Sequence, residues 1–129
     1  MLSTSELRLG NSVLVSTSLH PLPAVCEVQQ IMANEIRVET IEGSHFNASI
    51  SEISGILVDA DVIKQYGFML QAEDPHSYYK APIILVNDSE GWHLALHGWH
   101  IGHNIYYLHQ LQNLYFALCL EELKLKHAR

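Results

Sequence analysis

Apolar and polar positions alternate over Glu35-Ile36-Arg37-Val38-Glu39, which puts Ile36 and Val38 on one face of a strand and the charged residues on the other. Upstream, Leu7–Val15 reads as a turn at Gly10-Asn11 feeding a strand. Its alternation is imperfect, as in a strand covered on both faces. Pro21 and Pro23 stiffen a loop over residues 16–23. A strand resumes over 24–32, and Ala33-Asn34 turns it tightly into the Glu35 strand. Gly43-Ser44 turns the chain again, and residues 45–58 supply one further strand or two.

The period then lengthens. Asp59 is a good N-cap, Asp61 places negative charge in a first helical turn, and Gly67 suits the left-handed position that ends a helix. A short helix near 60–66 follows, docked through Val62, Ile63 and Tyr66. Residues 71–77 read as a polar loop and 78–86 as one strand, with Pro82 marking an edge or a bulge. Asn87–Gly91 is a turn, 92–97 returns as the partner strand, and 100–104 connects. Leu108, Leu111, Leu114, Tyr115 and Leu118 recur at helical spacing, with Gln110, Gln112 and Asn113 off that stripe, so a helix spans about 108–119. Residues 121–126 read as a short closing strand. The pattern predicts one α+β domain over 1–129, mostly antiparallel sheet with one short and one longer helix. Its opening resembles the start of an SH3-like barrel.

Composition narrows the function classes. The chain is 48 % hydrophobic and 16 % charged, with a net charge of −7. Its four Lys and three Arg are scattered, which argues against direct nucleic-acid binding and against a polybasic membrane role. No apolar run approaches a spanning helix, and the N-terminal residues show no leader pattern, so a cytoplasmic protein is expected. Cys26 and Cys119 form no CxxC pair and read as small core residues. The charge is uneven. Residues 1–26 and 75–129 are each neutral, whereas residues 27–74 hold nine acids against Arg37 and Lys64. That segment is either an ordinary solvated face or a docking surface for a basic partner, with Glu35, Glu39, Glu42 and Glu52 as its contact residues.

Candidate chemistry is sparse. Of nine histidines, four fall in Gly91–His103, and His93, His97, His100 and His103 could converge on a metal. No HExxH, no Cys cluster and no carboxylate trio accompanies them, so structural or surface histidines are the plainer reading. Trp99 and His100 in the same stretch also fit a recognition patch. Tyr78-Tyr79 and Tyr106-Tyr107 each place one ring on either side of a strand, compatible with base stacking or with sheet cover. No GxSxG and no phosphate loop is present, so neither a catalytic residue nor a cofactor is expected.

Three segments are similar to a known group. Leu108-His109-Gln110-Leu111-Gln112-Asn113-Leu114-Tyr115-Phe116-Ala117-Leu118, followed by Glu121-Glu122-Leu123, resembles the H-x-L-Q-N-L-Y-F-A-L-T-G-E-E-L close of small phage, prophage and mobile-element proteins of Bacteroidetes. Leu7-Arg8-Leu9-Gly10-Asn11 and Val62-Ile63-Lys64-Gln65-Tyr66-Gly67-Phe68 resemble that group's E-L-R-I-G-N and I-L-x-K-x-G-F segments, in the same order. This chain has Cys119-Leu120 where the pattern has Thr-Gly, which removes a C-cap glycine and predicts that the helix runs on. The resemblance implies a mobile-element origin and transfers no catalytic residue.

The resulting expectation is a non-catalytic accessory protein that binds a host protein through its acidic surface, in the sharpest form an anti-defence inhibitor of the anti-CRISPR type acting on a nucleic-acid-handling effector. Three alternatives stay open: a binder that sequesters a nucleotide signal, a His-dependent metalloenzyme, and a virion or assembly component.

Overall fold

A computed structural model describes residues 2–18, 21–96 and 99–125, without the side chains of 102 and 103. The α+β class holds: two antiparallel five-stranded sheets and two helices. The chain packs as two compact units. One comprises the residues through Ile56 with Tyr107–Leu114; the other comprises Leu57–Tyr106 with the residues from Tyr115 onward.

The first unit is built from β1 (Ser12–Val15), β2 (Ala24–Ile31), β3 (Glu35–Thr40), β4 (His45–Ser49) and β5 (Ile53–Ser54), in the order β4-β3-β2-β1-β5. Four strands meander, a 3-10 turn at Ile50–Glu52 follows, and β5 returns beside β1. That is the strand order of the SH3-like arrangement expected from the opening pattern. Alternation decides the core. Val13, Val15, Cys26, Val28, Ile36, Val38, Ala48 and Ile53 are buried together, with Leu2 and Leu7 added from the N-terminal segment. A second 3-10 turn, Thr4–Glu6, opens the unit and is closed by a Ser3/Glu6 capping box.

The second unit holds β6 (Met69–Gln71), β7 (Asp74–Lys80), β8 (Ile83–Asp88), β9 (Gly91–Leu96) and β10 (Trp99–Ile105), paired in simple sequence order. Helix α1 (Ala60–Gln65) precedes it. The Asp59 carboxylate accepts from the Val62 N–H at 2.8 Å, and Gly67 takes φ +96° after the last turn, as the spacing predicts. Phe68 is buried and meets Tyr115 edge-on, ring centroids 6.5 Å apart.

Several boundaries in this unit differ from the sequence reading. The stretch 71–77 is not a loop: β6 and β7 form a hairpin around Ala72-Glu73. The single strand at 78–86 is two strands, with Ala81-Pro82 at the turn between them, where a residue lacking an N–H costs no ladder bond. Residues 100–104 are strand, not connection, because β10 pairs β9 through His100↔Ala95 and Ile101↔Leu94. Residues 121–125 form no strand.

Helix α2 (Leu108–Cys119) has the predicted span. It does not run on. Leu120 adopts φ +59°, the left-handed conformation that a C-cap glycine would otherwise supply. Gln112 and Asn113 lie off the leucine stripe, yet Gln112 is 2 % exposed and Asn113 is half-buried. No helix among the described residues is long and apolar enough to cross a membrane.

Candidate interaction surfaces

The acidic third is divided between the units. The first unit holds six carboxylates against Arg8 and Arg37; the second holds eight against five Lys and Arg. In the first sheet the outward positions of β3 are Glu35, Arg37 and Glu39, set by the inward burial of Ile36 and Val38. Register places Glu27, Glu39 and His45 side by side across β2, β3 and β4. His45 Nε2 lies 3.0 Å from a Glu39 carboxylate oxygen. Glu35 accepts weakly from Asn47 at 3.4 Å. Glu42 is exposed in the β3–β4 turn.

Glu52 is of another kind. Its Oε1 accepts from the Ser49 N–H at 2.8 Å, completing the capping box of the 3-10 turn. Its carboxylate is committed to backbone, so its local role is to end β4 and start β5.

In the second unit Trp99 is 77 % exposed at the start of β10, and His100 beside it is exposed. His100 stands edge-on to His93, ring centroids 5.7 Å apart, and His93 Nε2 is 3.0 Å from Asp88 Oδ1. The Glu90 N–H donates to the same carboxylate at 2.8 Å, and this bond, ahead of the two histidines, holds Asp88 below the usual carboxylate range. His97 and the side chain of His103 lie outside the described residues. Among the described residues no three His, Cys, Asp or Glu side chains are grouped to hold a metal. Trp92 is half-buried against Tyr78, at 5.7 Å between centroids. Tyr79 and Tyr106 are the exposed members of their tyrosine pairs.

Neither thiol is primed. Burial pushes Cys26 up, with Glu42 adding to it, and burial pushes Cys119 up, with Glu121 adding to it.

One cluster escaped the sequence reading altogether. Within the first unit, the N-terminal segment and the start of α2 are joined by a set of side-chain hydrogen bonds. Asn113 Oδ1 accepts from Arg8 Nη1 at 3.1 Å and from Asn11 Nδ2 at 2.9 Å, while Asn113 Nδ2 donates to the Glu6 carbonyl at 2.9 Å. Gln112 Oε1 accepts from the buried Ser12 N–H at 2.7 Å. His109 is fully buried, stacked on Tyr107, with Nε2 3.6 Å from Glu6 Oε1 and, among the described residues, no hydrogen-bond partner at either nitrogen. The only available signal was indirect: polar residues kept at fixed places inside two otherwise apolar segments, Leu7–Asn11 and Leu108–Leu114. Compared with protein-family profiles, curated proteins and solved structures, the chain has no match.

Proposed function

We propose that this chain is a non-catalytic interaction protein of a phage or mobile element, one that occupies a host protein in the host cytoplasm rather than transforming a substrate. The observation that supports it most is the outward face of β3 and its following turn. Glu35, Glu39 and Glu42 stand there with Glu27 alongside, opposed by Arg37 and by His45. Carboxylates presented on a rigid sheet steer a basic partner and set its orientation, as a decoy for a phosphate-binding groove requires. A nucleic-acid-handling defence protein has such a groove.

The test is phage plating on strains that each carry one defence system, with and without the chain. Expression should restore plating in at least one strain. The triple variant Glu35→Lys, Glu39→Lys, Glu42→Lys should abolish the rescue while keeping its circular dichroism spectrum. Absence of rescue in every strain, together with no protein retained on the immobilised chain, would sink the reading. Rescue by the folded triple variant would remove the acidic face from it.

A further inference from the structure

The second sheet breaks a rule that β3 of the first obeys. An antiparallel sheet with one face packed normally turns polar side chains to the other. In the first sheet β3 does so, with Glu35, Arg37 and Glu39 outward. In the second, the packed face carries Tyr78, Ile83, Leu85 and Leu94, all buried. The opposite face carries a register row that crosses every strand: Met69↔Tyr79↔Ile84↔Ala95↔His100. Met69 is 58 % exposed and Tyr79 39 %, Ile84 is half-buried, the small Ala95 is buried between its larger neighbours, and His100 at the end is exposed. Up to His100 at its end, this row is apolar where the fold calls for polar residues.

The next row on that face is Ser77↔Val86↔His93, and both of its ends hold a carboxylate. Ser77 Oγ donates to Asp74 at 2.6 Å, and His93 lies 3.0 Å from Asp88. The Ser77 hydroxyl, then the His76 N–H, hold Asp74 below the usual carboxylate range. Lys80 falls in the other parity, opposite Ile83, so among the described residues these two rows contain no Lys or Arg. The face is thus an apolar band with a fixed acidic border along one side.

We propose that this face is a docking surface for an amphipathic basic helix of a partner protein, its apolar side on the Met69–His100 row and its Lys or Arg side along Asp74 and Asp88. The inference rests on the reading of the chain as an interaction protein and assigns a second surface to it. Dimensions agree: five strands about 4.8 Å apart make a row of about 19 Å, the length of roughly 13 helical residues. Met adapts to varied side chains and Tyr adds an anchor with a polar tip, both suited to such a seat.

The probe is a synthetic Leu/Lys helix of about five turns, with Leu on one face, titrated into isotope-labelled chain and followed by NMR. A Leu/Glu helix of the same pattern is the control. Shifts should concentrate on Met69, Tyr79, Ile84 and Val86 with the Lys peptide and be absent with the Glu peptide. Met69→Ser with Tyr79→Ser should weaken binding about tenfold or more. Asp74→Asn with Asp88→Asn should weaken it about fivefold. Shifts confined to Glu35, Glu39 and Glu42 would overturn this inference while leaving the first surface standing. Equal binding of the Glu peptide would overturn it as well. So would a dimer in sedimentation that Met69→Lys dissociates, since a second copy would then own the face. Loss of phage rescue on reversing Glu35, Glu39 and Glu42, with these shifts intact, would separate the two surfaces.

Discussion

Asn11 donates to Asn113 across 102 positions of chain, at 2.9 Å. Asn11 is fully buried at the entry to β1, so its amide has no water to fall back on. Asn113→Ala removes the acceptor for both Asn11 and Arg8 and the donor to the Glu6 carbonyl. The expected loss is about 1–3 kcal/mol, the range for a buried polar group left unpaired. Urea unfolding would show it as a lower midpoint with an unchanged slope. An unchanged midpoint would mean that α2 is held by its apolar stripe alone.

Much of the fold was legible in the sequence, and the reason is periodicity. Ile36 and Val38 announced β3, and the leucine stripe placed α2 at its true span. Two of the misreadings share one cause: the partner that decided the outcome lay elsewhere in the chain. Gln112 lies off the stripe, and nothing local foretells that it pairs inside the unit with the Ser12 N–H, 100 positions away. Residues 100–104 looked like a connection because glycine and histidine are weak strand formers; pairing with β9 made them a strand. The acidic residues were legible as charge; the Ser49-x-x-Glu52 spacing is also a capping-box signature, and the 2.8 Å bond from the Ser49 N–H shows it closed. The apolar row on the second sheet was invisible, since each of its members comes from a different strand.

Helix α2 ends on a strained residue. Leu120 holds φ +59° and is 78 % exposed, so its side chain gains little for the left-handed backbone it adopts. Leu120→Gly should therefore stabilise the chain by about 1 kcal/mol, a rise of a few degrees in Tm. A fall in Tm would mean that the leucine side chain contributes more than the backbone strain costs.

Gly55 is required for space. A Cβ there would stand 2.6 Å from Cδ1 of Tyr107, inside any real contact distance. Gly55→Ala should cost about 1–3 kcal/mol. In a Tyr107→Ala background the same change should cost close to nothing, so the double-mutant cycle isolates this one contact. An equal loss in both backgrounds would point to the backbone at Gly55 instead.

Acid should weaken the chain through His109. Burial pulls its pKa below the usual imidazole range, and the nearby Glu6 carboxylate restores only part of the difference. The unfolded ring therefore takes up a proton at a higher pH than the folded one. Stability should be level above about pH 7.5 and fall as the pH drops through about 6.5, at up to about 1.4 kcal/mol per pH unit from this site. His109→Phe should flatten that part of the curve in urea titrations across pH. Parallel curves for the two chains would assign the dependence to another group.

Helix α2 follows every strand of both sheets, and its residues 108–114 belong to one unit while 115–119 belong to the other. Synthesis runs from the N-terminus, so α2 emerges after the strands of both units. Until α2 is made, Asn11 and the Ser12 N–H lack the Asn113 and Gln112 that they bond in one unit, and Phe68 lacks the Tyr115 ring that it meets in the other. Each unit therefore completes its contacts only once its own half of α2 has been made.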